Sequence, residues 1–254
     1  MTENLTAAIL IIGNEILSGR TKDTNTSWIA GKLAEIGVKL LEVRVVPDIE
    51  GRIVEALNAL RPQHTYIFTT GGIGPTHDDI TSESVAKAFG VALELNPEAR
   101  EALLRHYRSE EMLTPARLRM AKVPAGCTLI ANPVSGAPGF RLENVYVMAG
   151  VPMIMQAMLD CILPELKHGH PILSNTVTCD LPESAIAEGL AAIQNDYIGV
   201  VDIGSYPHFR AGELGLSIVL RSTENAPLHD ATQEVMVLLS HIGGKALAIS
   251  VQSN

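Results

Sequence analysis

Two adjacent carboxylates, Asp78 and Asp79, follow three closely spaced glycines, Gly71, Gly72 and Gly74, in the stretch TTGGIGPTHDDIT at residues 69–81. The apolar residues Tyr66, Ile67 and Phe68 precede it, and a helical pattern over 82–89 follows. A strand that ends in glycines and passes into a helix brings bare backbone N–H groups close to a ligand, and the positive end of the helix favours phosphate there. Carboxylates and phosphates repel, so Asp78 and Asp79 beside such a cradle point to a divalent cation between them, Mg²⁺ or a relative such as Mn²⁺ or Co²⁺. The plainer reading is a turn, with Asp79 or Thr81 capping the next helix. The concentration of glycines, Pro75 and the acidic pair in one junction favours the ligand site. The glycine spacing matches neither a Walker A loop nor the dinucleotide fingerprint. His77 lacks a second histidine at metal-pair spacing and reads first as a solvent-facing loop residue.

The elements that must position this loop alternate. The apolar run 7–12 reads as a strand covered on both faces, followed by Gly13, Asn14 and Glu15. Trp28, Ile29, Leu33 and Ile36 give a helix stopped by Gly37, and residues 23–26 form a capping cluster at its start. Residues 38–46 read as a second strand ending at Pro47 and Asp48, Ile53, Leu57 and Leu60 as a helix stripe, and 66–70 as a third strand. This is the order of a doubly wound, three-layer α/β/α domain, in which ligands bind beyond the carboxyl ends of the strands. That rule gathers Asn14, Glu15, Asp48, residues 71–74, Asp78 and Asp79 at one edge. Asp48 equally serves as a cap for the helix beginning near Glu50.

Further along, 91–95 reads as a short strand and a helix starts at Pro97. Arg117, Arg119 and Lys122 form either a solvated helix face or a phosphate clamp. Residues 132–140 are a second glycine-rich loop, read as a turn between strands. Residues 145–148 are a strand, and Gly150, Val151 and Pro152 open a helix carrying Ile154, Met155, Met158, Leu159 and Ile162. From about residue 170 the pattern becomes βαββαβ, the order of a smaller ferredoxin-like α+β domain, giving domains over 1–169 and 170–254.

The 254 residues carry a net charge of -9, which argues against general nucleic-acid binding. Cys127, Cys161 and Cys179 lie far apart and read as reduced thiols of a cytoplasmic protein, and the N-terminal region offers neither a signal segment nor a membrane span.

The stretch at 69–81 closely resembles the signature of the molybdopterin-binding (MoaB/Mog-like) domain, in the branch found at the N-terminus of the competence/damage-inducible protein CinA. GNEILSG at 13–19 followed by DTN at 23–25 resembles that branch's first block, which implies that Asn14, Glu15 and Asn25 border the ligand cleft. Mog-like proteins carry functional aspartates at the places of Asp48 and Asp79, implying catalytic roles for both and a metal held by Asp48, Asp78 and Asp79. The resemblance implies ligand contacts from Gly71, Gly72, Gly74 and Thr76. It implies further contacts from Ser135 and Gly136, where the match is imperfect, and from Gly150 and Pro152. The last block departs from its relatives, with Ile154 where they carry an acid.

What the resemblance implies for activity is a divalent-metal-dependent pyrophosphatase acting on an ADP-ribose-like nucleotide. The alternatives are a molybdopterin adenylyltransferase and a module that binds a pterin or nucleotide without chemistry. It also implies a homo-oligomer, dimer or trimer. The nicotinamide-nucleotide amidase domain of many CinA proteins is not expected here. The segment 204–207 and Arg210 resemble the family's second-domain motif and are read as interface residues.

Overall fold

A computed structural model describes residues 5–210, 213–244 and 246–252. The chain divides into two compact units, Met1–Leu33 with Val38–Gly169, and Ala34–Gly37 with His170–Asn254. The first unit begins β1 (Thr6–Ile12), α1 (Asn14–Leu17), α2 (Asn25–Glu35), β2 (Lys39–Val46), α3 (Glu50–Leu60), β3 (Tyr66–Thr70) and α4 (Thr81–Phe89). It continues β4 (Leu93–Leu95), α5 (Pro97–Tyr107), α6 (Pro115–Arg119), β5 (Lys122–Pro124), β6 (Thr128–Ile130), β7 (Gly139–Leu142), β8 (Val145–Met148) and α7 (Pro152–Ile162). The glycine-rich loop at 132–140 is therefore a turn that passes directly into a buried strand, because Gly139 and Phe140 pair with β6 and β8.

The main sheet of this unit has the order β2-β1-β3-β8-β7-β6. β2, β1, β3 and β8 are parallel, while β7 runs antiparallel to both its neighbours. The step from β1 to β2 and the step from β2 back past β1 to β3 run in opposite directions. With right-handed crossovers, α2 and α3 therefore cover opposite faces, and the direction switches between β1 and β3. On one face Ala8, Leu10, Ile12, Ile67 and Val147 pack against Ile53, Leu57 and Leu60 of α3 and Val85 of α4. The alternate residues Ile9, Ile11 and Phe68 are buried on the other face, as are Ile29 and Leu33 of α2 and Met155, Met158 and Leu159 of α7.

The second unit contains β9 (Leu173–Cys179), α8 (Glu183–Asp196), β10 (Asp202–Arg210), β11 (Glu213–Ser222), α9 (Asn225–His241) and β12 (Ala246–Gln252). Its antiparallel sheet has the order β10-β11-β9-β12, the ferredoxin-like arrangement. Its core is built from Val177, Ile186, Leu190, Ile218, Leu228 and Val235 among others. The segment 204–207 lies inside β10, an edge strand, where Pro207 is tolerated. No helix among the described residues is long and apolar enough to cross a membrane.

Candidate functional site

β1 and β3 end side by side at the point where the strand order switches. Gly71 follows β3 with φ +102, and a Cβ there would stand 2.1 Å from the carbonyl oxygen of Ile12, the last residue of β1. Its N–H donates to the Met148 carbonyl at the end of β8 (3.2 Å), and its Cα lies 3.2 Å from where a Cβ on Gly150 would be. The ends of β1, β3 and β8 thus converge on one bare stretch of backbone. Gly72 has φ +69 and no room for a Cβ, which would meet the Thr81 hydroxyl at 2.2 Å. Thr81 closes the loop from the helix side, its hydroxyl donating to the Gly71 carbonyl (2.9 Å) and its N–H to the Gly72 carbonyl (2.9 Å). The residue preceding α4, Ile80, supplies no side-chain cap. Neither Asp79 nor Thr81 caps this helix, so the plain capping reading of the two fails.

The carboxylates are held by the loops. Oδ2 of Asp79 accepts from the N–H (2.8 Å) and the hydroxyl (2.5 Å) of Thr76, folding Asp79 over Gly74. The exposed Asp78 carboxyl is held below the ordinary carboxylate range by the nearby Thr76 side chain, whose hydroxyl proton it would share with Asp79, by its own N–H and by the charges of His77 and Arg119. His77 is 97% exposed, 3.9 Å from Asp78. Oδ2 of Asp48 accepts from the Asn14 N–H at 2.8 Å, tying the end of β2 to the end of β1. The cap position of α3 is Ile49, without a side-chain bond, so Asp48 is not a helix cap. Glu15 lies in α1 with its carboxylate against Gly13.

Asn25 is 7% exposed, and its amide donates to the Gly150 carbonyl at 2.8 Å. Its Oδ1 finds no hydrogen-bond partner. The capping of α2 falls to Asp23, whose carboxylate accepts from the N–H groups of Asn25 (2.9 Å) and Thr26 (3.1 Å). Pro152 occupies the exposed first turn of α7, and Ile154 sits half-buried in the same turn.

The loop before β7 stands at the same edge of the sheet, because Phe140 pairs with Val147 near the end of β8. Asn132 organises it, accepting from the N–H groups of Val134 (3.1 Å) and Ser135 (3.0 Å) and donating to the Ser135 hydroxyl and the Ala137 carbonyl (2.7 Å each). Gly136 packs against His106 of α5. Ser135 and Gly136 are thus engaged with their own loop and with α5.

Arg119 of α6 reaches the Asp79 carbonyl (3.4 Å) and stands 4.0 Å from Glu83. With Lys122, Gly74, Asp79 and Ser82 it lines a pocket of ≈ 110 Å³ beside the glycine loop. The sequence left both bases undecided between a solvated face and a clamp. Only tertiary packing brings them to the loop.

Among the described residues, no three His, Cys, Asp or Glu side chains gather closely enough to hold a metal ion. Asp48, Asp78 and Asp79 therefore form no closed protein cage. Mg²⁺ ordinarily uses one or two carboxylates and completes its shell with water and phosphate oxygens. The adjacent Asp78 and Asp79 fit a cation of that kind.

The first unit is thus an α/β sheet with a glycine-lined, acid-flanked cleft at its switch point, the arrangement of a small-ligand site. Residues 8–168 match the family described as "Probable molybdopterin binding domain", and residues 171–243 match the description "FAD synthase, middle domain". A protein of Pyrobaculum arsenaticum is 39% identical over 191 residues, covering 71% of this chain and 72% of that protein. A CinA-like protein of Geobacter sp. (strain M21) is 42% identical over 190 residues, 71% of this chain, which spans only about half (46%) of that relative's length. The crystal structure of the protein CinA with unknown function from Thermoplasma acidophilum is 35% identical with a TM-score of 0.61, over 64% of this chain and 99% of that one. The chain belongs to the molybdopterin-binding domain family, in its CinA-like, MoaB/Mog-related branch.

Proposed function

We propose that the chain is a cytoplasmic, divalent-metal-dependent pyrophosphatase that hydrolyses an ADP-ribose-like nucleotide diphosphate in the cleft between the ends of β1 and β3. The observation that carries this reading is the backbone at Gly71 and Gly72. Both lie in conformations and spaces that exclude any side chain, and they lead into a helix start with no side-chain cap. The Gly71 N–H is taken by the Met148 carbonyl, so phosphate oxygens would be received by the N–H groups that follow it in the loop, and Arg119 and Lys122 border the same loop. Asp48 borders the cleft from the neighbouring strand end, while Asp78 and Asp79 would hold the cation, with water and phosphate oxygens completing its shell. When bound, it supplies Lewis-acid polarisation of a phosphoryl oxygen and a lowered pKa for its water. Thr76 keeps Asp79 turned towards the loop, and Asn14 keeps Asp48 in place.

A second reading, a module that binds a pterin or nucleotide phosphate without turnover, rests on two observations. No three-residue metal cluster is present among the described residues, and Ile154 stands where the resemblance to the family implies an acid. Hydrolysis of ADP-ribose, FAD and ATP by the purified chain, with and without Mg²⁺, Mn²⁺ or Co²⁺, separates the two. Metal-dependent release of phosphate products supports the enzyme. Ligand-induced stabilisation without any turnover supports the binding module.

A further inference from the structure

A cavity of ≈ 140 Å³ lies between β6, the last strand of the main sheet, and the C-terminal end of α7. Its wall includes Thr128, Arg141, Tyr146, Cys161, Ile162 and Glu165. Strand register brings the first three together. Thr128 pairs with Arg141 and Arg141 with Tyr146, so they stand in one row across β6, β7 and β8 on the same face. Cys161 and Ile162 come from the last turn of α7, and Glu165 from the short 3₁₀ turn Leu163–Glu165 that follows it.

The wall carries one charge of each sign and a buried phenol. Tyr146 is packed against Phe68, with 5.3 Å between ring centroids, and the Arg141 guanidinium carbon stands 5.9 Å from the Tyr146 ring. Burial above all pushes the Tyr146 phenol up; Arg141 opposes this and Glu165 adds to it. The phenol is therefore a hydrogen-bond donor at neutral pH, and both charges reach it. Arg44 and Arg100 each meet a carboxylate at 2.5 Å, whereas among the described residues the half-buried Arg141 is in no ion pair. A guanidinium partly stripped of water gains from an incoming anion. Size narrows the choice, because a cavity of about 150 Å³ admits a molecule like benzene, with room for about six to eight non-hydrogen atoms. A nucleotide is far too large. A bare carboxylate would bring its charge towards Glu165 with no cation to answer it, and a zwitterion answers both walls.

We propose that this cavity binds a small α-amino acid as its zwitterion, with the carboxylate on Arg141 beside the Tyr146 phenol, the ammonium on Glu165 and a short apolar side chain against Ile162. The site is separate from the cleft at β1 and β3 and does not rest on the reaction proposed there.

Cys161 in the wall supplies the readout. Cys179 is buried, and burial pushes the Cys127 thiol up to about 11, so iodoacetamide at neutral pH alkylates the exposed Cys161 first. The probes are glycine, alanine, serine, proline and valine, each at up to about 10 mM, with alkylation of the full chain followed by peptide mass spectrometry. At least one of them is expected to slow alkylation of Cys161. Arg141→Gln and Glu165→Gln should each weaken that protection about tenfold or more, measured against the variant's own rate without ligand. Thr128→Trp should fill the cavity and abolish the protection. Circular dichroism checks folding, and because Thr128 and Glu165 are exposed their variants carry the test even where Arg141→Gln does not fold. The acid and the amine that match the best probe, isovalerate and isobutylamine in the case of valine, should each protect about tenfold less. No protection by any of the five, protection indifferent to Glu165→Gln and Thr128→Trp, or equal protection by the matching acid or amine would overturn the proposal.

Discussion

Replacing Gly71 by alanine should damage the first unit far more than the same change at Gly19, although both glycines have positive φ, +102 and +71. At Gly19 an added Cβ meets nothing within 4 Å, so the cost is the backbone conformation alone, about 1–2 kcal/mol. At Gly71 the Cβ would stand 2.1 Å from the Ile12 carbonyl oxygen. That carbonyl ends the buried strand β1, so the collision cannot be relieved by a side-chain rotation. An overpacking cost of about 1–3 kcal/mol then adds to the conformational one, for roughly 2–5 kcal/mol in total. The chain's one tryptophan, Trp28, lies in α2, so its fluorescence follows unfolding of the first unit. In urea titrations Gly71→Ala should lower the transition midpoint well below that of Gly19→Ala. Equal midpoints for the two variants would refute the close approach of the strand ends on which the cleft is built.

Asn25 links α2 to the end of β8. Asn25→Ala should destabilise by about 1 kcal/mol, because the exposed Gly150 regains water as a partner. Asn25→Asp should cost more, and increasingly so as pH rises through the carboxylate range, since ionisation sets a buried charge against a carbonyl. Urea titrations of both variants at pH 4 and pH 8 (about one-half and nearly complete ionisation of a free Asp) read the difference. In the second unit, the Tyr197 hydroxyl donates to Glu234 at 2.8 Å, and this bond, with the nearby acids, pushes the phenol up to about 12. The folded state therefore holds this proton more tightly than the unfolded chain, whose tyrosines titrate near pH ~10. The stabilisation is full below that value and is lost as pH rises towards about 12. Tyr197→Phe should remove a phenolate component that titrates at about 12 and flatten that alkaline loss of stability.

The parts of the fold written locally were legible. β3 spans Tyr66–Thr70 and β8 spans Val145–Met148, the limits read from the sequence, because each is an apolar run flanked by turn-forming residues. β7 was hidden because its first residue, Gly139, belongs to a glycine-rich stretch. That glycine is required by packing, since a Cβ there would meet Met158 and the Val147 carbonyl. β10 runs through Gly204 and Pro207, residues that mimic a loop in the sequence but lie on an edge strand. At the site, the glycine loop and acidic pair were visible as a contiguous motif. The role of Asp48 was ambiguous, because its partner, the Asn14 N–H, lies 34 residues away. Arg119 is 40 residues from the Asp79 carbonyl it approaches, and no local pattern signals such a contact.

Asp79 is the residue on which the proposed chemistry turns, and Asp79→Asn is a clean probe of it. An asparagine oxygen can still accept the Thr76 N–H, so the loop should keep its shape while the charge is lost. The decisive measurement is metal-dependent hydrolysis of ADP-ribose by the wild-type chain and by Asp79→Asn, alongside the melting temperature of each. Turnover by the wild type that falls about 100-fold or more in a variant of unchanged stability is the predicted result. Equal turnover by the two proteins would contradict the assignment of Asp79 to the reaction, and no turnover by the wild type with any of the metals would contradict the pyrophosphatase itself.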